Sequence, residues 1–411
     1  MLFNISLLGV AGLISACWAV PTHIDLEHRS GPKHRAKYGI EPVTENEASY
    51  FSIYVDTLID TGLQGFWFGQ FDIGNSKNLS LLIDTGSSDI IINSPYYHTG
   101  PRSVNLGKNF SSSYGTTESD GSGTRSISGR LYNDTVKFAS ATVYQTIGSA
   151  SPAPDGANLI PANGIVGFSG SEVSNFNGPR PFFQSLCEQG QIEECRFGIA
   201  LGSEGKGKQI IGTLAKSLYK GDLTTTSILF EWFFYADIAL GGRIITRNAP
   251  VELDTGTANI IGPMKEVIAI FEASSIQYQV QTSNSSGTTV TGYFPCDKPP
   301  VWGLSIPSRQ NATKAAREHS RLVSRQTSIF NIQPDKWIAV DHGNNNCTAI
   351  LSGTDNLPVP NLWVVGQPFF HGLYVDHNLH DGTLGFAPAI TPNASSELLE
   401  SSQLDGYQQM S

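Results

Sequence analysis

The chain has 411 residues, a formal net charge of −10, 42 glycines and a charged fraction of 15%. This length accommodates two sizeable domains, and the composition is that of a soluble globular protein. The negative balance disfavours nucleic acid and anionic membrane surfaces as partners and suits work in acid, where protonation of carboxylates lowers self-repulsion.

Residues 1–19, "MLFNISLLGVAGLISACWA", form a short apolar block that ends at Cys17-Trp18-Ala19. The block is interrupted by Asn4 and Ser6 and closes on a small residue, so it is expected to be a signal peptide and not a membrane anchor. Residues 20–50 carry Arg29, Lys33, Arg35 and Lys37 and read either as a solvated leader or as a removable pro-segment whose cations cover a carboxylate site; the two are even until such a site is established. From 51 onward the pattern is β. Short runs such as "FWFGQFDIG" (66–74), "DTVKFASATVYQTIG" (134–148) and "FEWFFYADIAL" (230–240) are broken by Gly, Asn, Ser and Pro. Helical pattern is confined to "RPFFQSLCEQG" (180–190) and "PMKEVIAIFEASS" (263–275), the second with Pro263 at a helix start. The tail 391–411 is polar and lacks the apolar end of a lipid-anchor signal.

Removal of the signal leaves Cys187, Cys195, Cys296 and Cys347, which allow three pairings. Local pairing, Cys187 with Cys195 and Cys296 with Cys347, is favoured in an oxidising compartment, and the spacing fits no zinc pattern. Glycosylation sequons at Asn78, Asn109, Asn133, Asn284, Asn311, Asn346 and Asn393 agree with a secreted glycoprotein.

An internal repeat carries the chemistry. "LLIDTGSSDIII" (81–92) and "VELDTGTANIIG" (251–262) share one scheme: apolar residues, Asp-Thr-Gly, a hydroxyl residue, a small residue, then an apolar run. Each is followed by an apolar pair ending in glycine, "NGIVGF" (163–168) and "LWVVGQ" (362–367). Two similar halves predict two lobes about a pseudo-twofold axis. In each turn glycine (Gly86, Gly256) lets the backbone approach the carboxylate, and hydroxyls (Thr85, Ser87, Thr255, Thr257) can hold it in place. One such turn alone is often a buried, satisfied aspartate. Two that meet cannot both ionise and share a proton, so Asp84 and Asp254 could together activate a water and protonate a peptide carbonyl. A third Asp-Thr-Gly at Asp60 is followed by Leu63 and Gln64 in place of the small hydroxyl pair and has no partner turn; it reads as a surface turn.

These residues resemble the pepsin-like aspartic endopeptidases of family A1, in the form of a fungal-type secreted acid protease, over roughly 51–388. A carboxylate pair that shares one proton is the catalytic device of that family. "GFWFGQFDIGNSKNLSLLIDTGSSD", "SSSY" (111–114), "NGIVGF", "VELDTGTANIIGP", "LWVVGQPFFHGLYVDH" and "GTLGFAPA" match its landmarks in order. The resemblance implies an all-β, bilobal fold with a few short helices, catalytic Asp84 and Asp254, Thr85 and Thr255 bonded across the lobe interface, and Ser87 and Thr257 on the outer carboxylate oxygens. It also implies a Cys296–Cys347 disulfide in the second lobe.

Two departures stand out. The family covers its cleft with a hairpin flap that bears a tyrosine before Gly-X-Gly. In "ESDGSGTRSISG" (118–129) that place falls on Asp120, with Gly121 and Gly123 as the turn glycines, and Ile91 stands where the tyrosine's tryptophan partner is expected. Tyr114 is close by but fits the "SSSY" landmark. The second departure is the basic insertion "PSRQNATKAAREHSRLVSRQ" (307–326), read as a solvated loop.

The reading is therefore a secreted aspartic endopeptidase, extracellular or in a vacuole- or lysosome-like compartment. It has an N-terminal lobe at 51–205, a C-terminal lobe at 206–390, protein or peptide substrates, no metal, no cofactor and a monomeric state. Its alternative is a weakly active or non-catalytic peptide-binding homologue with an altered flap. A carbohydrate-cleaving carboxylate pair is disfavoured, because such enzymes keep the acids well apart.

Overall fold

A computed structural model describes residues 51–56, 66–115, 124–139, 141–152, 160, 162–201, 206–283, 287–307, 327–357 and 359–390. The signal and pro-segments, Asp60, the stretch 116–123 with Asp120, Gly121 and Gly123, most of the insertion and the polar tail lie outside the described residues.

The described residues are mostly β, built on a 13-stranded and a 10-stranded sheet. Among the described residues there are two α-helices, Phe182–Glu188 and Met264–Ala273, at the two places the sequence pattern predicts them. Pro263 stands at the N-cap of the second.

The internal repeat is realised as two copies of one strand arrangement. Ser76–Asp84 runs parallel to Gly164–Gly167, which pairs antiparallel with Ile90–Ile92. In the second copy Arg243–Asp254 runs parallel to Trp363–Gly366, which pairs antiparallel with Ile260–Pro263. Asp84 lies opposite Gly167 and Asp254 opposite Gly366. The short strands of both copies are buried at every position, so they read as unbroken apolar runs instead of alternating ones. Strands covered on both faces cannot shift register without burying polar groups, which fixes the height at which each aspartate leaves its sheet.

Aromatic packing anchors the first copy. Helix Phe182–Glu188 buries Phe182, Phe183 and Leu186, and Phe168, one residue past Gly167, meets Phe182 edge-on at 5.7 Å. Cys187–Cys195 ties the end of this helix to the strand Arg196–Leu201, and Cys296–Cys347 closes the strand Cys347–Thr354 onto the preceding segment.

The larger sheet crosses the 205/206 division. Lys206–Ile211 pairs with Phe51–Asp56 and with Arg196–Leu201, which also pairs with Leu373–Asn378. Leu373–Asn378 pairs in turn with Thr383–Pro388, and that strand with Thr224–Ser227. Arg196 seals this junction with an ion pair to buried Asp376 at 3.1 Å.

Candidate active site

Both aspartates stand at the end of a strand, where the chain leaves the sheet and turns. Asp84 receives the backbone N–H of Gly86 on Oδ1 at 2.8 Å and the Ser87 hydroxyl on Oδ2. Asp254 repeats the pattern: Gly256 N–H donates to Oδ1 at 2.8 Å and the Thr257 hydroxyl to Oδ2 at 2.5 Å. Further on, Phe168 N–H donates to Asp84 O at 2.7 Å and Ser169 N–H to Ser87 O at 2.9 Å. In the second copy Gln367 N–H donates to Thr257 O at 2.9 Å. The glycine opposite each aspartate is a matter of space. A Cβ on Gly167 would lie 2.4 Å from Ser87 O, and one on Gly366 would lie 2.2 Å from Thr257 O.

The two turns meet face to face. Thr85 N–H donates to Thr255 Oγ1 at 3.1 Å, and Thr255 N–H donates to Thr85 Oγ1 at 3.0 Å. Each hydroxyl then donates across the interface, Thr85 to Leu253 O at 2.8 Å and Thr255 to Ile83 O at 2.7 Å. All four groups are buried, so each bond is made where water cannot replace it. A Cβ on Gly86 would sit 2.5 Å from Asp254 Cγ, and one on Gly256 would sit 2.4 Å from Asp84 Oδ1. Each turn glycine is thus the floor under the opposite carboxyl.

The carboxyls of Asp84 and Asp254 are hydrogen-bonded to one another. Burial, then the charge and hydrogen bond of Asp254, hold Asp84 well above the ordinary carboxylate range, against the pull of Ser87 and Gly86. Two carboxylates this close repel one another, which favours a proton held between them. Such a pair offers one basic oxygen and one acidic O–H at a single point.

Tyr114 approaches from the hairpin formed by Val104–Gly115 and Thr124–Phe138, in register with Arg125. Burial, then the charge of Asp84, push its hydroxyl upward, while a bond to Ser112 acts in the opposite direction. The ring packs on the cluster containing Ile91 and Phe110. Ile91 is fully buried in that cluster, so a core residue occupies the position of the expected tryptophan. Asn175 donates to Ser112 Oγ at 3.1 Å, and Ser174 and the Asn175 N–H bond buried Asp89 at 2.6 and 2.7 Å.

Sequence reasoning misses two further acids near the turns. Glu231 is buried, accepts from Ser169 Oγ at 2.8 Å and from Gly170 N–H, and shares a hydrogen bond with Glu172. Burial first, then Glu172, raise its carboxyl to about 8. Glu252 lies two residues before Asp254, where the first copy of the repeat has buried Leu82. That mismatch within an otherwise apolar slot is the signal that could have revealed it.

The family model described as "Eukaryotic aspartyl protease" matches residues 66–389. A protein named "Aspartic protease" from Phaffia rhodozyma is 24% identical over 383 residues, covering 89% of this chain and 87% of the relative. "Secreted aspartyl protease 1" of Malassezia globosa is 27% identical over 338 residues, 81% of this chain and 75% of that one. "Pepsin A" of Sus scrofa is 25% identical over 353 residues, 81% and 84% of the two chains. The crystal structure of an aspartic proteinase from Irpex lacteus superposes with a TM-score of 0.63 at 19% identity, covering 84% of this chain and 99% of that one. This likeness shows a shared bilobal fold.

Proposed function

Because the chain belongs to the eukaryotic aspartyl protease family and is an aspartic-type endopeptidase, we propose that it hydrolyses peptide bonds at acid pH with a water activated between Asp84 and Asp254. The observation that carries this reading is the pair of Asp-Thr-Gly turns, locked through Thr85 and Thr255, with their carboxyls in contact. The ionised carboxyl takes a proton from the water as its oxygen bonds the scissile carbonyl carbon. The protonated carboxyl gives its proton to the carbonyl oxygen, and a tetrahedral diol forms. The carboxyl that took the water's proton then returns it to the amide nitrogen while the other accepts a proton from a diol hydroxyl, and cleavage of the C–N bond yields an acid and an amine with the pair again singly protonated. No covalent enzyme intermediate is needed. Gly86, Gly256, Ser87 and Thr257 hold the carboxyls through this cycle, so little reorganisation accompanies the transfer of charge.

Tyr114 is proposed to be the ring that closes over the substrate. Its support is its place on the hairpin and its electrostatic contact with Asp84. In this reading the altered positions at Asp120 and Ile91 do not remove the flap function. Secretion is supported by two disulfides and by sequon residues Asn78, Asn109 and Asn346 at exposed positions. The pro-segment is proposed to leave on acid exposure, when protonated carboxyls release its cations. Incubation with denatured protein at acid pH, with and without a statine-type inhibitor, tests the activity. Inhibitor-sensitive cleavage is expected. No cleavage by a chain with an intact dyad would refute it.

A further inference from the structure

Strand Arg243–Asp254 presents two different faces near its end. Val251 and Leu253 are fully buried, whereas Glu252 and Asp254 alternate with them on the partly exposed side. Two residues of extended chain separate their Cα atoms by about 6.6 Å. Glu252 therefore shares the partly exposed side of the strand with the dyad, within one or two residues' reach along an extended peptide. Its carboxyl senses the charges of both Asp254 and Asp84. Among the described residues it has no hydrogen-bond or ion-pair partner.

The surroundings of Glu252 are apolar. It lies directly opposite Phe233 on one neighbouring strand and Val364 on the other, so these side chains flank it on the same face. Phe233 and Val364 belong to a cluster with Ile261. Phe233 also stacks on Phe230 at 4.5 Å, and Phe230 is exposed. A lone carboxyl at the back of an aromatic and aliphatic wall suits a side chain with a long apolar stem and a cationic head. Lysine and arginine have that form.

We propose that Glu252 is a specificity-determining residue that selects a lysine or arginine adjacent to the scissile bond, an inference that rests on the protease reading of Asp84 and Asp254. The basic head pairs with Glu252 while the stem lies along Phe233 and Val364. The titratable groups that act on Glu252 are Asp254 and Asp84 on the dyad side and, more weakly, Glu231 from the connection that leads into Phe233; all are acidic, and Glu231 keeps its proton up to about 8. Burial and these neighbours hold the Glu252 carboxyl up, so an incoming cation relieves the repulsion and draws the carboxylate back to its charged form. Preference for a basic residue should therefore strengthen as pH rises.

The test is a peptide series with one cleavable bond, in which lysine, arginine or leucine is placed in turn at the two residues on either side of it. The readout is the ratio of kcat/KM for the basic peptide to that for its leucine counterpart, which is independent of the fraction of active enzyme. For the wild type one position should show a clear basic preference, larger at about pH 6 than at about pH 3.5. In Glu252→Gln the ratio at that position should fall by roughly tenfold or more, as for loss of a charge-assisted hydrogen bond. Glu252→Asp should restore part of it. The same ratio in wild type and Glu252→Gln at every position would overturn the assignment while leaving the protease reading intact. Failure of the wild type to cut any peptide in the series would overturn both.

Discussion

The crossed threonines allow a quantitative test. Thr85→Val keeps shape and volume but deletes the hydroxyl that accepts from Thr255 N–H at 3.0 Å and donates to Leu253 O at 2.8 Å. Both partners then lose a bond in a place closed to water. An orphaned buried group costs about 1–3 kcal/mol, so the change should cost about 3 kcal/mol in total. For a unit the size of one lobe, that corresponds to a fall in Tm of about 6–12 °C. The same bonds set the height of one carboxyl against the other, and a shift of about 1 Å can lower the rate about a hundredfold. Differential scanning calorimetry and kcat/KM on one peptide would be measured for Thr85→Val, Thr255→Val, the double variant and Thr85→Ser. The two valine changes should be less than additive, since they dismantle one network. Serine should recover most of the loss. A valine variant with an unmoved Tm and kcat/KM within about twofold of the wild type would show that the two turns are aligned by something else.

Asp84→Asn or Asp254→Asn should each lower kcat by at least about a hundredfold with the fold retained by circular dichroism, whereas Asp60→Asn should be near silent; comparable loss at Asp60 would defeat the assignment. Tyr114→Ala should reduce kcat/KM on apolar peptides far more than Asp120→Asn does, and the reverse order would return the flap role to Asp120. Glu231→Gln should flatten the fall of stability toward neutral pH. The native carboxyl keeps its proton up to about 8, whereas the unfolded one loses it near about 4.5, so stability drains away across that window as pH rises. Melting curves should gain at pH about 7 and coincide with wild type at pH about 4; a gain at both would indicate repacking and not titration.

Much of this architecture is legible in the sequence because it is repeated. Asp84 and Asp254 each sit in an apolar strand, a glycine turn and a hydroxyl cap, and the paired glycines Gly167 and Gly366 follow in order. Local pattern suffices there, since each turn satisfies its own carboxylate within three residues. Tyr114 is harder to place. Its position depends on the register between Val104–Gly115 and Thr124–Phe138, a pairing that one-dimensional spacing across an unusual connection does not reveal. Glu231 escapes notice for a different reason. Its carboxyl acquires a role through Ser169 and Gly170, some sixty residues away, and neither sequence neighbourhood carries a motif. Glu252 could have been found by setting the two halves of the repeat side by side and asking why one apolar slot holds an acid.

The pairing of Arg196–Leu201 with Leu373–Asn378 has a consequence for how the protein comes into being. Val375 lies beside Ile199 in one sheet, so the first half of the chain cannot close its own edge. During synthesis that half must wait on the ribosome, with the strand Arg196–Leu201 unpaired on one side, until nearly the whole sequence has emerged. Waiting strands with open edges invite wrong partners. A nascent chain of this design would lean on chaperones late in its synthesis, and shortening it before Leu373 should yield an aggregating first half in place of an independent one.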